Sequence, residues 1–508
     1  MRTPQKLPWL ILLAGYIVVW LLASWLRSPS LDSYGDMIEN YAWGQTWEWG
    51  SFKHPPLFAW LVRLWFAVFP TEVWAYFLLS YINATVGALG IVALAACWLP
   101  PDGRRNNALL LALVFAVCGL PYANLAAKFN ADTVLLSLWP WTAYAFFRAA
   151  RPGAATGWSV ALGVLAAAAM LGKYFSGVLL LSLFLISLLR PWRSWYASPR
   201  PYLALAVFAA LLAPHLYWEW SLDFPFRQYL SGKFAGGDGA MRMATFALSG
   251  LYYWCVPWLA FVWLWRRLPR QGDAAPAASL LALTLLPALI TLALHLLLGI
   301  HLTTHWAIPL WFALPALLTL WLLPKLPETP LWPQARRAVY GVALLILVGS
   351  AGYVASTALR GKSSYYYSRQ ALVAAVEAAF AERYPGATLR WVGGTWAESA
   401  SFAFFAPSHP RALPGVPDAM PALVNPHPTW AREHGAILCT GTYGTGDDAA
   451  CETQAEAWLA ARGAAVQRQE IVYRAQGWRY PRPQEKRAVV YWVCLLYTSP
   501  SPRDRQKS

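Results

Sequence analysis

Apolar residues fill the first ~360 positions in runs near twenty long, separated by short polar stretches rich in arginine. Runs of that length suit helices crossing a ~30 Å hydrocarbon core. The pattern predicts transmembrane helices at about 8–26, 72–98, 106–120, 132–149, 157–171, 174–190, 201–220, 244–265, 277–299, 305–323 and 339–357, about eleven in all. The fifth and sixth are short and separated only by Gly172-Lys173. The stretch 55–70, PPLFAWLVRLWFAVFP, is also apolar but short and interrupted by Arg63. It reads as an interfacial helix in the headgroup plane or as a short re-entrant segment.

From about 358 the pattern becomes that of a soluble domain. A helix is predicted at 367–383, a strand at 388–392, a strand at 436–439 and a helix at 450–462. Segments rich in strand formers follow at 466–474 and 487–494. The alternation predicts a small α/β domain with a mixed sheet. The Pro-rich span 407–428 is predicted as a long loop. The last residues, LLYTSPSPRDRQKS, continue no pattern and are set aside as a non-native tail. The expected organisation is therefore a membrane domain over 1–357, with a first outer loop at 27–71, an α/β domain over 358–494, and the tail 495–508.

Composition strengthens this picture. The chain is 58% hydrophobic and 13% charged, where soluble proteins carry about 25% charged residues. The net charge of +16 could suggest nucleic acid, but the arginines sit in short loops. Arg104-Arg105, Arg148 and Arg151, Arg190 and Arg193, Arg266-Arg267 and Arg336-Arg337 all fall on one side if the N-terminus is inside. No nucleic-acid partner is called for. The outer connections are then 27–71, 121–131, 172–173, 221–243 and 300–304, and an odd helix count puts the α/β domain outside. A multi-pass protein of a bacterial-type inner (plasma) membrane is expected. The first run has a basic start, Arg2 and Lys6, without a clear cleavage site, and is expected to stay as a helix. Cys97, Cys118 and Cys255 lie in apolar segments. Cys439 and Cys451 lie in the polar region and can pair in an oxidising compartment.

The chemistry concentrates at the outer helix ends. The tract Asp36–Trp60, DMIENYAWGQTWEWGSFKHPPLFAW, holds the carboxylates Asp36 and Glu39, the aromatics Tyr41 and Trp43, and the Lys53-His54 pair ahead of Pro55-Pro56. Asp132 opens the fourth predicted helix, Lys173 the sixth and His305 the tenth, while Glu219 closes the seventh. Any one of these alone can be an ordinary interfacial residue, and the aromatics an ordinary belt. As a set, acids and bases on one face suit a substrate with a lipid tail and a charged head. The 221–243 loop, with GKFAGGDGA, reads as a lid or as a plain connector.

These residues resemble a known family. GDMIENYAWGQTWEWGSFKHPPLFAW, FNADTVLLSLWPWTAYAFFRA and LGKYFSGVLLL, with HLYWEW and HWAIPLWFALP, are similar to the dolichyl-phosphate-mannose protein mannosyltransferase-like glycosyltransferases, which include aminoarabinose transferases and share the GT-C fold. The resemblance spans about residues 5–357. One departure stands out. Many relatives carry adjacent Asp-Glu in the catalytic loop, whereas Asp36 is followed here by Met37 and the next acid is Glu39.

The resemblance implies transfer of a monosaccharide from a polyprenyl-phosphate donor to a hydroxyl of a lipid, glycan or protein acceptor. It implies Asp36 as base, with Asp132 and Glu39 beside it in the catalytic set. Lys53, His54, Lys173 and His305, with Arg242 as a further candidate, would meet the donor phosphate. Tyr41, Trp43 and Glu219 would contact sugar or acceptor. No cofactor is called for with certainty; a divalent cation at Asp132 is left open. Attack opposite the leaving phosphate predicts inversion. The rival readings are a lipid-linked substrate flippase, which would place its polar residues near the bilayer midplane, and a non-catalytic membrane assembly factor.

Overall fold

The structure, a computed structural model, describes residues 6–227, 239–270, 277–361, 366–414, 433–439, 448–461 and 467–493. Residues 228–238 of the 221–243 loop, the later part of the Pro-rich span and the 495–508 tail lie outside these. The chain divides into two compact units. One comprises Met1–Leu26, Trp49–Trp60 and Trp74–Ser350; the other comprises Arg27–Glu48, Leu61–Val73 and Ala351–Ser508.

In chain order the first helices are α1 (Lys6–Arg27), α2 (Asp36–Gly44), α3 (Leu57–Phe66), α4 (Val73–Ala95), α5 (Arg105–Cys118), α6 (Leu135–Ala149), α7 (Gly157–Gly172), α8 (Gly177–Ser187) and α9 (Arg200–Ser221). Longer apolar helices follow at Ala278–Leu298 and Trp332–Leu359. Five helices are long and apolar enough to cross a bilayer among the described residues; several others are apolar but shorter. The protein is a mostly helical membrane protein with a small C-terminal sheet domain.

Two predicted spans are not single helices. The segment 244–265 is split into Gly239–Ala247, Ser249–Tyr252 and Cys255–Arg267. The Tyr253 carbonyl accepts the Leu120 N–H at 2.8 Å instead of continuing a helical ladder. Gly250 lies so close to the Trp311 indole that a Cβ would stand 2.9 Å from it. The segment 305–323 is helical only over Leu314–Leu322, after a 3₁₀ turn at Thr304–Ala307. Pro309 has no N–H to continue that turn into a helix, and Pro315 sits in the first turn of the next helix, where prolines are tolerated.

The second unit contains a five-stranded sheet: β1 (Trp391–Gly394), β2 (Arg411–Pro414), β3 (Gly435–Cys439), β4 (Arg468–Arg474) and β5 (Glu485–Val493), in the order β2-β1-β3-β5-β4. β1 pairs parallel with β2 and β3, and β5 pairs antiparallel with β3 and β4. Alternation sends Val392, Leu438 and Trp492 to one face, against Leu372, Val376 and Phe380 of the helix Arg369–Arg383. Trp391, Ile437 and Tyr491 point to the other face, against Trp458 and Leu459 of the helix Asp448–Ala461. Both faces are covered, so the central strands read as continuous apolar runs. A disulfide joins Cys439 at the end of β3 to Cys451 in the helix Asp448–Ala461. The helix Trp396–Phe405 and strand β2 were not expected. Serines and prolines mask both in the sequence, yet Ser399 and Ser401 are fully buried and bond backbone carbonyls of their own helix.

Candidate active site

In the second unit, Asp36 opens α2, a helix in a tract read from the sequence as loop. Three backbone N–H groups at its start, those of Gly35, Asp36 and Met37, donate to the Asp32 carboxylate at 2.8, 3.0 and 3.0 Å. The anion satisfies groups that a helix start leaves unpaired and complements its dipole. Gly35 has φ +99, a conformation that favours glycine. A Cβ there would also meet the Trp396 indole at 3.2 Å.

Arg369 holds the segment leading into this helix. It is buried, and its guanidinium donates to the carbonyls of Ser30 (2.6 Å), Asp32 (2.8 Å) and Ser33 (3.3 Å). Gln370 donates to the Pro29 carbonyl at 2.7 Å and accepts from the Ser30 hydroxyl at 2.7 Å. The first helix of the α/β domain thus fixes the approach to Asp36. Glu39 is buried one turn further on. Tyr41 packs edge-on against Phe404 and Phe66, while Trp43 is half-buried. Burial pushes the Tyr41 phenol up, and the Arg63 guanidinium draws it down.

In the first unit, Lys53 and His54 lie in a turn held by Ser51. The Ser51 hydroxyl accepts the His54 N–H at 3.1 Å, and the Ser51 N–H donates to the His54 carbonyl at 2.9 Å. The buried Pro55-Pro56 pair then leads into α3. Asp132 sits in a turn before α6, where the Asn130 side chain accepts the N–H groups of Asp132 and Thr133. Lys173 is extended (φ −166, ψ 134), breaking α7 from the next turn. The structure brings these two together: Lys173 Nζ and Asp132 Oδ1 are 2.5 Å apart, and both residues are buried. Lys173 also faces the Trp306 ring at 5.9 Å. His305, next to that tryptophan, is exposed, and Arg242 contacts His301.

Glu219 enters a second buried set. Its Oε1 accepts the Tyr174 hydroxyl at 2.8 Å, and the same hydroxyl lies 2.6 Å from His215 Nε2. His215 Nδ1 lies 2.5 Å from the Trp49 carbonyl, which can only accept, so Nδ1 carries a proton. The single Tyr174 proton cannot fill both remaining bonds. The set is complete only with one further proton, on His215 Nε2 or on Glu219. It anchors the Trp49 loop to the C-terminal end of α9. Tyr174 and His215 escaped sequence reasoning because each is a common residue in an apolar helix whose partners are far away in the chain. Asp32 and Arg369 escaped it because their partners are backbone groups. Among the described residues no three His, Cys, Asp or Glu side chains gather as a metal site. The Asp132 carboxylate is engaged by Lys173 Nζ.

Residues 53–218 match the family described as dolichyl-phosphate-mannose-protein mannosyltransferase. The chain also superposes on the crystal structures of ArnT from Cupriavidus metallidurans. Against the apo state the TM-score is 0.58 at 15% identity, covering 96% of this chain and 98% of that one. Against the form bound to undecaprenyl phosphate the TM-score is 0.56, with the same identity and coverage. The chain thus shares the fold of ArnT, and residues 53–218 are similar to that mannosyltransferase family. No curated protein matches the chain. The matched segment takes in Lys53, His54, Asp132 and Lys173 and begins after Asp36.

Proposed function

We propose that the protein moves a monosaccharide from a polyprenyl-phosphate donor to an acceptor hydroxyl at the outer face of a bacterial-type inner membrane. The observation that carries this reading is the mounting of Asp36 on the capped, clamped start of α2 in a chain with the GT-C fold. A hydroxyl is a poor nucleophile near neutral pH, and a held carboxylate can take its proton as it attacks. ArnT, of the same fold, has been crystallised with undecaprenyl phosphate. A polyprenyl-phosphate donor for this chain rests on that likeness.

The sugar–phosphate bond breaks as the acceptor bond forms on the opposite face, with inversion through an oxocarbenium-like transition state. The phosphate leaves as a stable anion, so it needs fixed positive charge more than a proton. Lys53 and His54 supply that charge, with His305 and Arg242 as further donors. Lys173 is already neutralised by Asp132, so it can serve the phosphate only by exchanging partners. Glu39, Tyr41, Trp43 and Glu219 are assigned to sugar or acceptor contacts. The N-terminus is inside and the α/β domain outside. The test is incubation of purified protein with labelled polyprenyl-phosphate sugars and membrane extract, followed by mass spectrometry of the acceptor fraction. A product one sugar heavier is expected, and no label transfer from any donor would overturn the reading.

A further inference from the structure

The last long apolar helix, Trp332–Leu359, can cross a membrane over Ala335–Leu359, 25 residues or about 37 Å at 1.5 Å per residue. That length spans a ~30 Å hydrocarbon core and leaves the final turn at the edge of the bilayer. The residues between β4 and β5, AQGWRYPRPQ over 475–484, fold onto this helix end. Ala475 and Tyr480 are buried together with Ala358 and Tyr366, and Val354 packs against them. The Tyr366 hydroxyl donates to the Ala358 carbonyl at 3.0 Å and accepts the Arg482 N–H at 3.1 Å. The Arg482 guanidinium donates to the Leu359 carbonyl at 3.1 Å, and the Gln484 amide donates to the Gly361 carbonyl at 2.8 Å. A helix end leaves its last carbonyls without partners in the helix, and the hairpin supplies donors for this one.

These contacts do not use the tip of the hairpin. Gly477 takes φ +106, and its carbonyl accepts the Tyr480 N–H at 3.0 Å, which closes a turn with Trp478 and Arg479 at its corners. Trp478 is 71% exposed, two residues from a tyrosine packed on the helix end. The Arg479 guanidinium lies over its ring at 5.2 Å. A single exposed tryptophan on a soluble surface calls for no partner. Beside the end of a membrane helix it stands where indoles concentrate, with an apolar ring for the acyl boundary and an N–H for the headgroups. Tyr353 and Leu359 of the same helix end are exposed as well. The charge here has one sign: Arg360, Arg479 and Arg482 fall in the segments 351–361 and 475–484, and neither segment contains Asp or Glu.

We propose that the tip of the β4–β5 hairpin is a membrane anchor: Trp478 enters the headgroup region beside the last membrane helix, and Arg360 and Arg479 bind the phosphates of anionic phospholipids. Arg482 and Gln484 fix the hairpin to the helix end, so the tip meets the bilayer with little further ordering. A leaflet containing anionic lipids attracts basic groups held at its surface. A guanidinium meets a phosphate through two parallel hydrogen bonds, which distinguishes it from a diffuse positive charge. Because β4 and β5 run directly from the tip, the anchor holds this end of the sheet at the membrane surface. The proposal rests on the membrane-spanning helix and not on the glycosyltransferase reading.

The experiment is photo-crosslinking of the full-length protein carrying Trp478→p-benzoylphenylalanine, reconstituted in nanodiscs of equal parts phosphatidylcholine and phosphatidylglycerol. Mass spectrometry after irradiation identifies the attached lipid. The same replacement at Val472, exposed on β4 away from the tip, is the comparison. Lipid adducts at 478 should exceed those at 472 by about fivefold or more, and phosphatidylglycerol adducts should exceed phosphatidylcholine adducts by about threefold or more. R360Q/R479Q, added to the protein labelled at 478, should bring the two lipids to parity, whereas R360K/R479K should retain part of the preference. No lipid adduct at 478, or equal adducts at 472, would overturn the membrane contact. Parity of the two lipids with both arginines present, or a preference unchanged in R360Q/R479Q, would overturn the anionic-lipid assignment. Circular dichroism and the disulfide-intact mass confirm that each variant is folded.

Discussion

The two units differ in how they hold the charged side chains around the candidate site. In the first, Lys173 and Asp132 neutralise each other in a buried pair, and Glu219 is tied to Tyr174 and His215. In the second, the buried Arg369 holds backbone carbonyls around the approach to Asp36, and Arg63, Arg390 and Arg411 line a cavity with no ion pair among the described residues. Charges satisfied within the protein fix helix ends. Charges left facing a cavity are available to a ligand. The first unit's residues looked like a binding set in the sequence, but the structure spends much of their bonding capacity on one another.

The comparison can be broken most sharply at the Lys173–Asp132 pair. Lys173→Met should lower stability by about 3–5 kcal/mol, because it leaves a buried carboxylate uncompensated. The double variant Lys173→Met/Asp132→Leu should recover much of that loss. Thermal unfolding in detergent reads both. If Lys173→Met is silent, the pair is not the structural element described here. Arg369→Met removes three hydrogen bonds to backbone carbonyls, one of them buried, and should cost about 2–3 kcal/mol. It should also depress transfer beyond its effect on stability, because the segment before Asp36 loosens. A loss of stability with full turnover would separate the clamp from the chemistry.

Two smaller effects sharpen the same contrast. Gly35→Ala forces a Cβ into a left-handed conformation beside Trp396 and should cost about 1–2 kcal/mol. Asp32→Ala should cost about 1 kcal/mol through loss of the cap, while Asp32→Asn should cost less. Both are read by thermal unfolding alongside turnover. Equal stability of the Ala and Asn variants would show that Asp32 does not act as a cap.

Much of the fold was legible in the sequence because membrane helices and buried strands announce themselves by long apolar runs. The break at Gly172-Lys173, the helix at 369–383 and most of the strands lie close to where the pattern predicted them. What was lost depends on distant partners. Helix α2 is nine residues long and mixes acids, aromatics and glycine, so its helical character follows from its Asp32 cap and its packing. The helix Trp396–Phe405 hides behind buried serines. The candidate residues themselves stood out as charged or aromatic groups at helix ends. Their pairings did not, because Lys173 and Asp132 are 41 residues apart and Arg369 reaches back 337 residues to the Asp32 carbonyl. Side chains that bond backbone carbonyls leave no complementary residue type for a sequence reader to find.

The central claim is that Asp36 acts as the base in sugar transfer from a polyprenyl phosphate. The most direct measurement is the single-turnover transfer rate of labelled donor sugar to membrane acceptor, comparing the purified wild-type and Asp36→Asn proteins at matched folding. A loss of roughly 10²–10⁴-fold with an unchanged unfolding transition is predicted. A folded Asp36→Asn protein that transfers sugar at the wild-type rate would contradict the account.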